Sequence, residues 1–77
     1  MTDLTHHLQG SQQHAEACRV FHEDALDQLS DEIIRTTIAI AFAKAVGDAA
    51  GERRAKSALR AARHEARRHH DALEVAR

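Results

Sequence analysis

Apolar residues recur through most of the chain at the alternating three- and four-residue spacing of an amphipathic helix. The longest series lies in the last third of the chain and consists of Ala55, Leu59, Ala62, Ala66, His69, Leu73 and Ala76. A second series, nearer the N-terminus, consists of Leu8, Ala15, Cys18, His22, Ala25 and Leu29. Because this spacing places each series on one face of a helix, the pattern predicts helices that pack against each other.

The helix boundaries follow from a few local signals. We predict a flexible arm at residues 1–10 and a single helical domain at 11–77, with helices at about 11–28, 31–46 and 49–76. Gly47 is expected to end the second helix, and Asp48 is expected to cap the third.

The boundary between the first two helices rests on Ser30. A serine followed by Asp31 and Glu32 is typical of a capped helix N-terminus. Leu29 and Ile34 are placed to form a hydrophobic staple around that cap. The alternative is one unbroken helix from Ser11 onward, because neither glycine nor proline intervenes before Gly47.

The stretch 33–46 is apolar around almost its whole circumference, which is typical of a helix covered on several sides. Its neighbours in the chain are rich in alanine and offer little surface to cover it. We therefore expect an all-α fold, a helical hairpin or three-helix unit, dimerised into a helical bundle. The candidate core of this oligomer consists of Ile34, Ile38, Ala41, Phe42, Leu59, Ala62, Ala66 and Leu73.

Composition supports both the helices and the need for a partner. The 77 residues include 16 alanines but only 15 Leu, Ile, Val and Phe residues, and there is no proline, tryptophan or tyrosine. Alanine favours helix but contributes little buried area, and short chains with small cores commonly depend on a second subunit. The abundance of alanine and arginine, with few lysines, indicates a GC-rich bacterial or phage genome.

Charge is divided unevenly although the formal net charge is only −1. Residues 1–32 carry a net −6, and residues 33–77 carry +5. The positive charge is concentrated in a candidate partner-binding face, predicted opposite the alanine seam, that consists of Arg53, Lys56, Arg60, Arg63, His64 and Arg67. Arginine is suited to bidentate contacts with carboxylate or phosphate. A solvated face, or one that pairs with the acidic first helix, is the alternative.

The sequence favours protein over nucleic acid as the partner of this face. No aromatic residue lies near it, and the chain has no asparagine, so the usual side chains for base stacking and adenine recognition are missing. The leading hypothesis is a small helical adaptor, regulator or inhibitor that binds a larger protein. A dimer that binds nucleic-acid phosphates through the Arg53–Arg68 segment is the second hypothesis.

His14, Cys18 and His22 follow one another in steps of four residues and form a helical stripe whose imidazole and thiolate groups could share a zinc ion. The alternative reading places Cys18 and His22 in the buried seam, because a free cysteine is commonly a small buried hydrophobe. No further zinc motif accompanies the stripe, so a metal-binding bundle is only the third hypothesis and no cofactor is expected.

The sequence also limits the other classes of function. It contains no phosphate-binding glycine loop and no nucleophile paired with a base and an oxyanion site, so we do not expect an enzyme. The most apolar stretch, 33–46, is interrupted by charges and is too short to cross a bilayer. A single cysteine fits a reducing compartment, and we expect a cytoplasmic protein without a membrane partner.

Overall fold

The chain folds into two helices joined by a two-residue turn. The computed structural model describes the backbone of residues 2–75 and the side chains of residues 12–75. Helix α1 (Thr2–Val46) and helix α2 (Ala49–Val75) pack along each other as an antiparallel hairpin. The prediction of an all-α fold is confirmed, and of the two predicted architectures the structure has the hairpin.

Gly47 ends α1, as the sequence predicted. Its backbone φ of 74° lies in the left-handed region, where a residue with a Cβ is strained. The amide of Gly47 donates to the carbonyl oxygen of Lys44 at 3.3 Å, and the amide of Asp48 donates to that of Ala43 at 2.9 Å. This pair of hydrogen bonds is a Schellman motif, which satisfies carbonyls at the end of the helix and reverses the chain.

Asp48 begins α2 as its N-cap, again as predicted. Its carboxylate Oδ1 accepts a hydrogen bond of 2.9 Å from the amide of Gly51, three residues further on. A Cβ at position 51 would overlap this carboxylate, so the glycine leaves room for the cap. The turn is therefore built by three residues in sequence order: a left-handed glycine, a capping aspartate and a glycine that makes space for it.

The predicted break at Ser30 is wrong, because α1 continues through it without interruption. Leu29 is buried against α2, whereas Ile34 is exposed on another side of α1, so the two cannot form a staple. The side chain of Ser30 is exposed in the middle of the helix. Since the residues that face α2 keep their spacing on both sides of Ser30, packing on α2 holds this region in one helix.

The two helices meet along a narrow seam with three- and four-residue spacing on both sides. From α1 the seam takes His22, Leu26, Leu29, Ile33, Thr36, Ile40 and Ala43, and from α2 it takes Glu52, Ala55, Leu59, Ala62, Ala66, His69 and Leu73. The predicted seam of α2 is thus confirmed up to Leu73, while Ala76 lies outside the described residues. Among the described side chains, only Leu29, Ala43 and Ala62 are buried.

Helix α1 is much longer than α2 and extends past its end. A 45-residue helix is about 67 Å long and a 27-residue helix about 40 Å. All described side chains from Gln12 to Val20 are exposed, so this segment has no packing partner within the described chain. The predicted arm at 1–10 overlaps the start of α1 in the structure; its side chains, including Leu8, lie outside the described part.

Candidate interaction surfaces

Four large apolar side chains lie exposed along the side of α1 that faces away from α2. We call this set the outer stripe: Ile34, Ile38, Phe42 and Val46 are 58%, 62%, 67% and 60% exposed. They follow one another in steps of four residues, so together they form a continuous oblique ridge. Ala41 and Ala45 are also exposed and lie beside the ridge. A contiguous apolar surface of this kind is a candidate interaction site.

The predicted oligomer core is divided between two places in the structure. Leu59, Ala62, Ala66 and Leu73 face α1 of the same chain, so they belong to the hairpin seam. The remaining members, Ile34, Ile38, Ala41 and Phe42, are exposed on α1. Three- and four-residue spacing identifies a helix face, but it does not distinguish a face covered within the chain from one that needs a partner.

A groove with an apolar floor and a basic rim lies where α1 meets α2. We call it the arginine groove; its lining consists of Ile33, Arg63, Ala66, Arg67, His70 and Asp71. Ile33 and Ala66 supply the floor, and the two arginines, one turn apart on α2, supply most of the rim. The groove therefore combines a hydrophobic contact surface with two bidentate cation donors.

The sequence predicted a basic face opposite the seam of α2, but two of its members, Arg63 and Arg67, lie closer to the seam than that. Arg63 and Arg67 border the groove together with Ala66, a seam residue, so they lie beside the seam. The seam between the two long helices repeats every seven residues. This corresponds to about 3.5 residues per turn, slightly fewer than in a straight α-helix. At that repeat, the positions of Arg63 and Arg67 fall on the flank of α2. His64 is exposed on α2.

The arginines of α2 have no carboxylate partners among the described side chains. Every ion pair in that part of the chain joins residues three or four apart on one helix: Arg19 with Glu16 and Glu23, Lys56 with Glu52, and His69 with Glu65. Within residues 12–75, no carboxylate of α1 forms a salt bridge with an arginine of α2. Six arginines are therefore exposed without a salt bridge within residues 12–75: Arg53, Arg54, Arg60, Arg63, Arg67 and Arg68.

Glu52, in the first turn of α2, forms an ion pair with Lys56. A hydrogen bond from Lys56, 2.6 Å away, lowers the pKa of the Glu52 carboxyl below its usual range. The charges of Lys56, Lys44 and Arg53 lower the pKa further, and desolvation opposes them. Glu52 thus neutralises Lys56, which leaves the arginines as the available cations of the basic face.

The stripe formed by His14, Cys18 and His22 is split in the structure. His14 Nε2 lies 3.7 Å from Cys18 Sγ, and both side chains are exposed. His22 instead turns towards α2, where its Nδ1 lies 2.7 Å from Nδ1 of His69. Within residues 12–75 no group of three or more potential ligands converges on one point.

The pairing of His22 with His69 was missed by sequence reasoning. Both lie in predicted helix seams, but only the alignment of α1 with α2 shows that they meet. One ring donates and the other accepts in their hydrogen bond, and the ring of Phe21 packs edge-on against both. The pair places a polar contact near the open end of the hairpin, in a seam that is mostly apolar.

Comparison of the chain with protein-family models, with curated proteins and with solved structures finds no match. Within residues 2–75, no helix is both long enough and apolar enough to span a membrane. The interpretation of the surfaces therefore rests on their own geometry and charge.

Proposed function

We propose that this protein is a non-catalytic protein–protein interaction module that binds an acidic helical segment of a larger protein in the arginine groove. The observation that carries the proposal is the combination of an apolar floor, Ile33 and Ala66, with Arg63 and Arg67 at the rim. An amphipathic helix would lay its apolar face on this floor and its carboxylates against the arginines. Small helical regulators and inhibitors act through surfaces of this kind.

The lining of the groove favours a protein over a nucleic acid. A phosphate backbone gains nothing from the apolar floor, whereas the apolar face of an amphipathic helix packs on it. Carboxylate side chains on a helix are spaced by turns, and Arg63 and Arg67 are themselves one turn apart. The groove thus matches a helical ligand in both chemistry and spacing.

We further propose that the module works as a homodimer. The hairpin buries only three side chains among those described, which is a small core for a chain of 77 residues. The outer stripe offers the surface through which a second subunit would complete that core. We place the protein in a reducing compartment such as the cytoplasm, because its single cysteine, Cys18, is exposed as a free thiol.

A second candidate function is binding of nucleic-acid phosphates along α2. Its support is the set of six exposed arginines that lack carboxylate partners in the described part of the chain. Such binding would depend on the number of charges and would be largely indifferent to the apolar floor.

Fluorescence anisotropy with three labelled probes separates these functions. The probes are a designed amphipathic helix with glutamates beside a leucine face, a polyglutamate of equal charge, and a short DNA duplex. We expect the amphipathic helix to bind most tightly. Arg63→Glu combined with Arg67→Glu should weaken its binding about tenfold or more, because two ion pairs become repulsive contacts.

The matched control is Arg54→Glu combined with Arg68→Glu, which changes the net charge equally but lies outside the groove lining. It should reduce binding of the amphipathic helix only slightly. Equal losses in both double variants, with DNA as the preferred probe and a steep salt dependence, would support the second candidate and contradict the first. Absence of binding to all three probes at low salt would contradict both.

A further inference from the structure

The outer stripe requires an occupant that is present whenever the chain is folded. Each of its four large side chains is more than half exposed, while the buried residues of the described hairpin are one leucine and two alanines. A partner that is only occasionally bound would leave this hairpin with too little buried apolar surface for most of its lifetime. A second copy of the chain is available at equal concentration from synthesis onward.

The stripe and the alanines beside it are self-complementary. The large residues Ile38 and Phe42 alternate along α1 with the small residues Ala41 and Ala45. When two α1 helices run antiparallel about a two-fold axis between positions 41 and 42, Ile38 lies level with Ala45 of the other copy. In the same register Phe42 lies level with Ala41 of the other copy. Large side chains of each helix thus meet small ones of its partner, which is how ridges pack into grooves.

Charge selects the antiparallel direction. Asp24, Asp27 and Asp31 are exposed on the same side of α1 as the outer stripe, towards the N-terminus. In a parallel pair each of these aspartates would face the same group in the other copy, and like charges would repel along the contact. In the antiparallel register they lie beyond the turn of the partner, and Arg35 of one copy is level with Asp48 of the other.

We propose that the outer stripe binds the outer stripe of a second copy, with the α1 helices antiparallel and overlapping only near their turns. The inference rests on the proposed function in one respect, that the exposed face of α1 is a protein-binding surface. It uses none of the residues that line the arginine groove. An experiment can therefore contradict the proposed dimer without contradicting ligand binding in the groove, and the reverse.

The orientation is tested by the distance between spin labels at a single position. Gln28, exposed on α1, is changed to cysteine in a Cys18→Ser background, labelled with a nitroxide, and measured by double electron–electron resonance. In the antiparallel register, the two labelled positions are separated along the helix axis by the length of 27 helical residues. The distance between the labels is therefore about 40 Å. A parallel pair would bring the labels within roughly 25 Å, because packed helices lie 8–10 Å apart. The shorter distance would overturn the proposal.

The surface is tested by sedimentation equilibrium of Phe42→Glu beside the matched control Val75→Glu. Val75 is an exposed valine on α2, 88% accessible and outside the stripe. We expect Phe42→Glu to raise the dimer dissociation constant about tenfold or more, and Val75→Glu to change it less than about threefold. Equal effects of the two substitutions would contradict the assignment of the stripe.

If Phe42→Glu prevents folding, Phe42→Ala and the wild-type chain decide the question. A dimer that folds as it associates has a Tm that rises with protein concentration, and Phe42→Ala should lower that Tm at every concentration. A wild-type chain that is a folded 8.5 kDa monomer at micromolar concentration, with a Tm independent of concentration, would overturn the proposal. Such a monomer could still bind the amphipathic probe, so the proposed function of the groove would stand.

Discussion

At the scale of single residues, the ion pair between Glu52 and Lys56 in the first turn of α2 makes the stability of the protein depend on pH. The Glu52 carboxylate accepts a hydrogen bond from Lys56, and this contact, with the neighbouring cations, lowers the pKa of Glu52 below its usual value of 4.5. The folded state therefore binds a proton at this site less readily than the unfolded state. Its contribution to stability is present above pH 4.5 and is lost as the pH falls through the folded-state pKa.

Glu52→Gln should flatten this part of the pH dependence. We expect the Tm of the wild-type chain to fall more steeply than that of Glu52→Gln between about pH 5 and pH 3, because the variant has no proton to take up at position 52. Circular dichroism melts at one protein concentration give the comparison, and Lys56→Gln should show the same flattening. Parallel curves for the wild type and both variants would contradict the role of the pair.

At the scale of elements, the continuity of α1 through Ser30 predicts the effect of removing its hydroxyl. A serine in the middle of a helix is a weaker helix former than alanine, whereas a serine at an N-cap is stabilising. Because Ser30 is exposed within α1, we expect Ser30→Ala to leave the free energy of unfolding unchanged or raise it by up to about 0.5 kcal/mol. Urea titration at a fixed protein concentration measures the change.

Ser57→Ala is the matched control, since Ser57 is an exposed serine in the middle of α2. The two substitutions should have the same sign and a similar size. A loss of about 1 kcal/mol in Ser30→Ala alone would identify Ser30 as a cap and show that α1 breaks there in solution.

At the scale of the whole molecule, the chain is a rod. Its dimensions are 69 × 16 × 15 Å and its Cα radius of gyration is 19.0 Å, against about 11–12 Å for a compact chain of this length. A rod has a large surface for its volume, so its stability and its binding depend on the faces along its length. The outer stripe lies near one end of this rod, beside the turn.

This shape makes the proposed dimer measurable by small-angle X-ray scattering. Two rods that overlap antiparallel near their turns extend to about 120 Å, whereas two parallel rods extend only to about 70 Å. We expect a maximum dimension near the larger value at concentrations where the dimer is populated. A dimeric mass with the shorter dimension would agree with the parallel arrangement and contradict the antiparallel one.

The sequence by itself determined that the chain is helical and where it turns. Without proline, and with alanine, arginine, glutamate and leucine at helical spacing, the chain favours helix over strand almost throughout. Gly47 and Asp48 specify the end of one helix and the start of the next through backbone geometry and a short-range hydrogen bond. The seam of α2 could also be predicted from the sequence, because its members follow one regular three- and four-residue spacing.

Only the tertiary structure decided which faces are covered. Leu29, Ile33 and Ile34 are all large aliphatic residues of α1, yet the first is buried on α2, the second lies in the arginine groove, and the third is exposed. The same holds for His22, whose contact with His69 depends on how α1 and α2 align. Local periodicity fixes directions around a single helix, whereas burial depends on where another helix lies. That position is set by the hairpin and, for the outer stripe, by the second copy we propose.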